Sequence, residues 1–282
     1  MGWTIVTVAV LSYVGLLVLL RVFEPRLIYF PGPQHKLVPP PASLALPIRR
    51  VEIPTDDGIT VVAWVIPAAA GPAGYWLLIC HGNAGNISEF DRPAHYAGLR
   101  GLGLNLLAFD YRGYGESDGT PSEAGLYRDA DAAYRYLHQK LGVPADRIIV
   151  FGHSLGSAVA IDLASRVPTA GLIVEGAFTS ATNRGQELYP LIPVRWVASS
   201  RFNSIVKVPT VTVPKLFLHA GNDEVIPVAH GRRLFDAAAP PKEFVELAGG
   251  HGDAFEVDSA NYFGSIGRFL ASLPHQPRVS GN

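Results

Sequence analysis

Cysteine is nearly absent from this chain: Cys80 is the only one. A single thiol forms neither an intrachain disulfide nor a cysteine cage for a metal, so the redox compartment cannot be read from it. An excess of charge is missing too. The 23 Lys and Arg residues oppose 24 Asp and Glu, leaving a net charge of −1, and no basic, aromatic-rich cluster speaks for a nucleic-acid partner. No phosphate loop of the G-x-x-x-x-G-K-[ST] kind occurs, and no internal repeat is visible. The expectation is therefore no metal, no organic cofactor and no nucleic acid. What is abundant is apolar residues, at 48% of 282 positions, enough to bury one large core.

Apolar residues are concentrated at the start. Trp3 to Leu20 carries no charge and is about long enough to cross the hydrocarbon core of a bilayer. Trp3 stands where an interfacial anchor would. A cleavable signal would bring a basic n-region and a small-x-small site, whereas Arg21, Val22 and Phe23 follow this span. Residues 1–23 thus read as a retained, single-pass anchor. Arg21, Arg26 and Lys36, opposed by Glu24, put the following domain in the cytoplasm by the positive-inside rule. Residues 24–47, with Phe30-Pro31-Gly32-Pro33 and Pro39-Pro40-Pro41, read as a proline-rich connection. A folded domain is expected over 48–273 and a frayed tail over 274–282.

Within that domain, Arg49 to Ile53 and Ile59 to Ile66 flank Thr55-Asp56-Asp57-Gly58 and read as a hairpin. Apolar strands then alternate with helices: Tyr75 to Cys80, Leu104 to Phe109, Arg147 to Phe151, Gly171 to Val174, Lys215 to His219 and Glu243 to Leu247. Alternation of this kind predicts an α/β fold, a mostly parallel sheet with helices on both faces. Thr120-Pro121-Ser122-Glu123 reads as N-cap, first-turn proline and capping-box glutamate of a helix reaching about Lys140. Phe255 to Leu270 reads as the closing helix.

Gly152-His153-Ser154-Leu155-Gly156 joins a strand to a helix. That is the setting of a nucleophile elbow, whose tight turn lifts the serine hydroxyl above the sheet edge and aims a helix N-terminus at it. A nucleophilic serine needs a base, and the base an orienting acid. Asp223 follows the strand ending at His219, and His251 lies in the glycine-rich loop after the last strand. Both are therefore expected at the same sheet edge as Ser154. Glu175, at the end of the intervening strand, is the rival acid. The backbone N–H groups of Leu155 and of Asn83, in the loop after Cys80, are the candidate oxyanion donors. His219, inside an apolar strand, reads as a core residue; His35, His95, His138, His230 and His275 read as solvated.

Residues His81 to Asn86, Phe109 to Ser117, Pro121-Ser122-Glu123, Gly152 to Gly156 and Gly221 to Pro227 occur together and in order. Over roughly 24 to 272 the chain resembles the α/β-hydrolase-fold serine hydrolases, in particular their N-terminally anchored esterases and protein depalmitoylases. The resemblance implies Ser154 as nucleophile, Asp223 as acid, His251 as base, and Asn83 and Leu155 as the hole. It implies an ester or thioester acyl substrate and turnover through an acyl-serine. The animal depalmitoylases carry a cysteine-rich N-terminal segment, and this chain has an apolar span in its place. Residues 176–213 leave room for a small lid, whose Tyr189, Trp196 and Phe202 are candidates to line a substrate pocket or to face the membrane. A peptidase of the same fold and a non-catalytic, membrane-tethered binding protein are the alternatives.

Overall fold

The computed structural model describes residues 2–33, 35–69 and 74–274. Eight strands form one sheet: β1 (Arg49–Pro54), β2 (Thr60–Ile66), β3 (Trp76–Cys80), β4 (Asn105–Phe109), β5 (Ile148–His153), β6 (Gly171–Glu175), β7 (Lys215–Ala220) and β8 (Lys242–Leu247). Their spatial order is β1-β2-β4-β3-β5-β6-β7-β8. The β1–β2 and β2–β4 pairs are antiparallel and the remaining pairs parallel. This is the mostly parallel α/β sheet that the alternation of elements predicts, in the α/β-hydrolase arrangement that the resemblance implies.

Ten helices accompany the sheet among the described residues: α1 (Gly2–Ile28), α2 (Arg92–Gly101), α3 (Glu123–Arg135), α4 (Leu155–Ala164), α5 (Ala181–Leu188), α6 (Val194–Val197), α7 (Ser204–Lys207), α8 (Val228–Ala237), α9 (Ala254–Val257) and α10 (Ser259–Ser272). Strand side chains alternate between two cores, as a pleated ladder requires. Leu78, Cys80, Ile148 and Val150 join the core under α3, α4 and α8. Their neighbours Leu77, Ile79, Ile149 and Phe151 join the one under α2 and α10. Helix α4 lies between sheet and outer helices, and every one of its residues is buried.

Three local expectations change. The cap of α3 is Ser122 rather than Thr120 and accepts from Gly125 N. This makes Glu123 the first helical residue, and its carboxylate accepts from Arg201 N at 2.6 Å and Phe202 N at 2.9 Å. The helix passes into a π turn at Tyr136–Lys140. The closing helix is divided, α9 ending at Val257 and α10 beginning at Ser259.

The N-terminal region has two characters. The apolar stretch of α1 is unburied along its length. Glu24 and Tyr29, by contrast, are buried. From there the chain is laid onto the domain: Phe30 bridges Ala84, Leu37 N donates to Glu116 and Val38 N to Ser88 Oγ. Leu37, Leu46 and Ile48 pack against the second core. The proline-rich connection thus meets the domain at Phe30, Leu37, Val38, Leu46 and Ile48. The tail expected at 274–282 lies, beyond Pro274, outside the described residues.

Candidate active site

Ser154 sits between β5 and α4 with φ 52° and ψ −117°. A side chain in this region is strained, and tight contacts hold it there. The Ser154 N–H donates to Glu175 O at 2.9 Å. A methyl group at Gly156 would collide with the Cys80 carbonyl, and one at Gly152 with the Gly156 carbonyl. The turn is therefore pressed directly against β3, and both flanking positions need glycine.

His251 Nε2 lies 2.8 Å from Ser154 Oγ, and its Nδ1 lies 2.7 Å from Asp223 Oδ2. The other carboxylate oxygen of Asp223 accepts from Val225 N at 2.9 Å and Ile226 N at 2.7 Å. Burial by itself would raise the Asp223 pKa. Hydrogen bonding to His251 and to the Ile226 N–H prevails and holds it below the ordinary carboxylate range. The His251 backbone is fixed in turn, its carbonyl accepting from His153 Nε2 at 2.9 Å. Three residues dispersed over 98 positions of sequence (154 to 251) thus form one hydrogen-bonded line.

Glu175 takes another partner. Its carboxylate accepts from Tyr262 Oη at 2.8 Å, and that hydroxyl is 2.9 Å from His95 Nε2. Burial pushes the Glu175 pKa up to about 7. His95 and His230 are buried rather than solvated. Burial drives the His95 pKa down to about 3, and His230 is bound between Thr179 and Glu187. His219 is a core residue as expected, donating to Ile226 O. His275 lies outside the described residues.

Leu155 is the first residue of α4, where N–H groups have no partner within the helix. Asn83 lies in the loop after β3, and its side chain is spoken for. Oδ1 accepts from Tyr114 Oη at 2.8 Å and Phe30 N at 3.2 Å, while Nδ2 donates to Ile28 O at 2.5 Å. Arg92 clamps the same loop through Asn86 O and Ala84 O. Tyr114 lies in the Phe109 to Ser117 motif and Arg92 in no motif, and neither gives a sign in the sequence of its bond to this loop. Arg112 binds Asp129 and Asp57, so it fixes its turn as its glycine-rich surroundings suggest.

The three lid aromatics differ in their surroundings. Phe202 is wholly buried, edge-on to Tyr29 and Tyr127. Tyr189 and Trp196 are 61% and 91% exposed. Trp196 and Val197 wall an open groove of about 320 Å³ against Val14, Leu17, Val18, Arg21 and Val22 of α1. Among the described residues no group of three His, Cys, Asp or Glu side chains could hold a metal ion.

Residues 77–206 match the sequence model of the Alpha/beta hydrolase family. An uncharacterized protein of Mycobacterium tuberculosis is 39% identical over 270 residues, 94% of each chain. Alpha/beta hydrolase domain-containing protein 17B of Xenopus laevis is 35% identical over 183 residues, 64% of this chain and 62% of the relative. Among solved structures, an esterase of Pyrococcus furiosus superposes with a TM-score of 0.71 at 21% identity, covering 86% of this chain and 98% of its own.

Proposed function

The chain belongs to the alpha/beta hydrolase family, and on that premise we propose that it is a serine hydrolase of carboxylic esters or thioesters, acting through an acyl-serine. The observation that carries this reading is the line Ser154–His251–Asp223, at 2.8 and 2.7 Å, on a strained elbow. His251 Nε2 takes the Ser154 proton as Oγ attacks the acyl carbonyl. The N–H groups of Leu155 and Asn83 receive the oxyanion, each such donor being worth about 10²–10³ in rate. Asp223 holds the Nδ1–H tautomer and stabilises the imidazolium. His251 then protonates the leaving alcohol or thiol, and water repeats the sequence to free the acid.

The same reading takes α1 as a bilayer anchor. Its support is a 27-residue helix containing an 18-residue stretch with a mean hydropathy of 2.4 and no burial. By the positive-inside rule the hydrolase domain is then cytoplasmic, and its substrate is an acyl ester or thioester small molecule or lipid.

The test is a fluorescent fluorophosphonate applied to the detergent-solubilised chain beside Ser154→Ala. Labelling of the wild type that vanishes in the variant is the expected result. A folded wild type that takes no label, or a variant that still does, overturns the assignment.

A further inference from the structure

The lid turn Leu188–Val194 runs Leu-Tyr-Pro-Leu-Ile-Pro-Val and contains no charge. Glu187 and Arg195, at its neck, are tied back to His230 and Asn183. Leu188 and Leu191 are 53% and 86% exposed, and Tyr189 and Trp196 are exposed beside them. A turn bathed in water would have little reason to present so many apolar side chains together.

Its backbone is equally unsuited to water. Pro190 and Pro193 remove two donors. Five successive carbonyls all have protein partners: Tyr189 and Pro190 accept from Gln186 Nε2, Leu191 from Tyr13 Oη, and Ile192 and Pro193 from Val194 N and Trp196 N. The N–H groups of Tyr189, Ile192 and Val194 donate internally as well. Water normally satisfies such groups in an exposed turn. Most of the turn's backbone polar groups are thus met within the protein, although the Leu191 N–H has no partner among the described residues, and surroundings poor in water favour such self-sufficiency.

The turn also has a fixed depth. Tyr13 Oη meets Leu191 O at 2.8 Å, while Glu24 accepts from Ser199 N and Ser200 N at 2.9 and 2.7 Å. Eleven residues of helix separate the two clamps, about 16 Å at 1.5 Å per residue. The turn therefore runs beside α1 into its uncharged stretch, past Arg21.

From this geometry we propose that Leu188–Val194 is a second membrane-embedded element, seated in the acyl-chain region of the bilayer that α1 enters. The lid is then the side on which a lipid-borne substrate approaches Ser154. The proposal rests on α1 being a bilayer anchor. The bilayer is the occupant because the turn is bonded at Leu191 O to Tyr13, within the uncharged stretch of α1, and holds Leu188, Tyr189 and Leu191 exposed there.

The test uses the full chain reconstituted in phosphatidylcholine vesicles. Single cysteines are introduced by Leu191→Cys, Val10→Cys and Asp56→Cys and labelled with an environment-sensitive fluorophore. The native thiol, Cys80, is buried. The label at 191 is expected to lose most of its emission to a mid-chain nitroxide lipid and little to aqueous iodide, like the label at 10 and unlike that at 56. Quenching at 10 by lipid but at 191 by iodide overturns the embedded turn and leaves the anchor intact. Quenching at 191 by neither means that protein covers the turn, and overturns the proposal as well. Iodide quenching at 10 overturns the anchor, and the proposal falls with it.

Discussion

Asn83 Nδ2 donates to the carbonyl of Ile28, the last residue of α1, at 2.5 Å. The amide on the loop proposed to bind the oxyanion is thereby tied to the end of the N-terminal helix. Phe30 strengthens the link, donating to Asn83 Oδ1 and accepting from Gly85 N at 3.0 Å. Losing these bonds leaves polar groups of the loop unpaired and costs about 1–3 kcal/mol. Asn83→Ala should lower kcat by roughly tenfold to a hundredfold with KM little changed, and Tyr114→Phe, which removes one bond, by less. Steady-state kinetics on a short soluble ester decide it. An unchanged kcat in Asn83→Ala would show that the loop holds its shape unaided.

Ser154 carries the strain of the elbow. Glycine at this position removes the Cβ responsible, a relief of about 1–3 kcal/mol. Ser154→Gly should therefore be as inactive as Ser154→Ala but melt several degrees higher. Equal melting temperatures for the two variants would deny that the backbone stores strain there.

Glu175 gives the fold a pH dependence. Burial raises its pKa from an ordinary 4.5 to about 7, so between those values the folded state binds the extra proton. Stability must then fall as pH rises across that window, by about 3 kcal/mol at most. Glu175→Gln keeps an acceptor for Tyr262 and removes the titration. Its melting temperature should exceed that of the wild type at pH 8 and approach it at pH 4.5. Parallel melting curves across this range would contradict the linkage.

Trp196 faces α1 across the groove. Trp196→Ala should therefore slow hydrolysis of a long-chain ester presented in vesicles several-fold. A dissolved short-chain ester should be turned over as by the wild type. Equal losses on both substrates would place the tryptophan in the service of the reaction centre.

How far the sequence could be read depended on whether a residue's role is local. Ser154, Asp223 and His251 each follow a strand, and strand ends in a parallel sheet share one edge, so their convergence is legible before any coordinates. The elbow glycines are legible for the same reason. Glu123 was expected to close a capping box, yet it reaches Arg201 and Phe202 in the lid, 78 and 79 residues away. The partnership of Glu175 with Tyr262 spans 87 positions. No periodicity or short motif encodes such pairings. Phe202 reads as a lid aromatic because it falls in the segment between β6 and β7, although Tyr29 packs against it in the core from the other end of the chain. The proline-rich connection over 24–47 carries no sign of its bonds to Glu116 and Ser88, which lie far along the chain.

Only Tyr29 and Phe30 separate the end of α1 from the loop beside Ser154, and Tyr29 is itself buried. The helix is therefore a stake without slack. A domain on a flexible leash can tumble and sample every direction; this one inherits the tilt and rotation of its helix. Whatever holds α1 also sets which way the mouth of the site points, and any change in the lean of the helix turns that mouth with it.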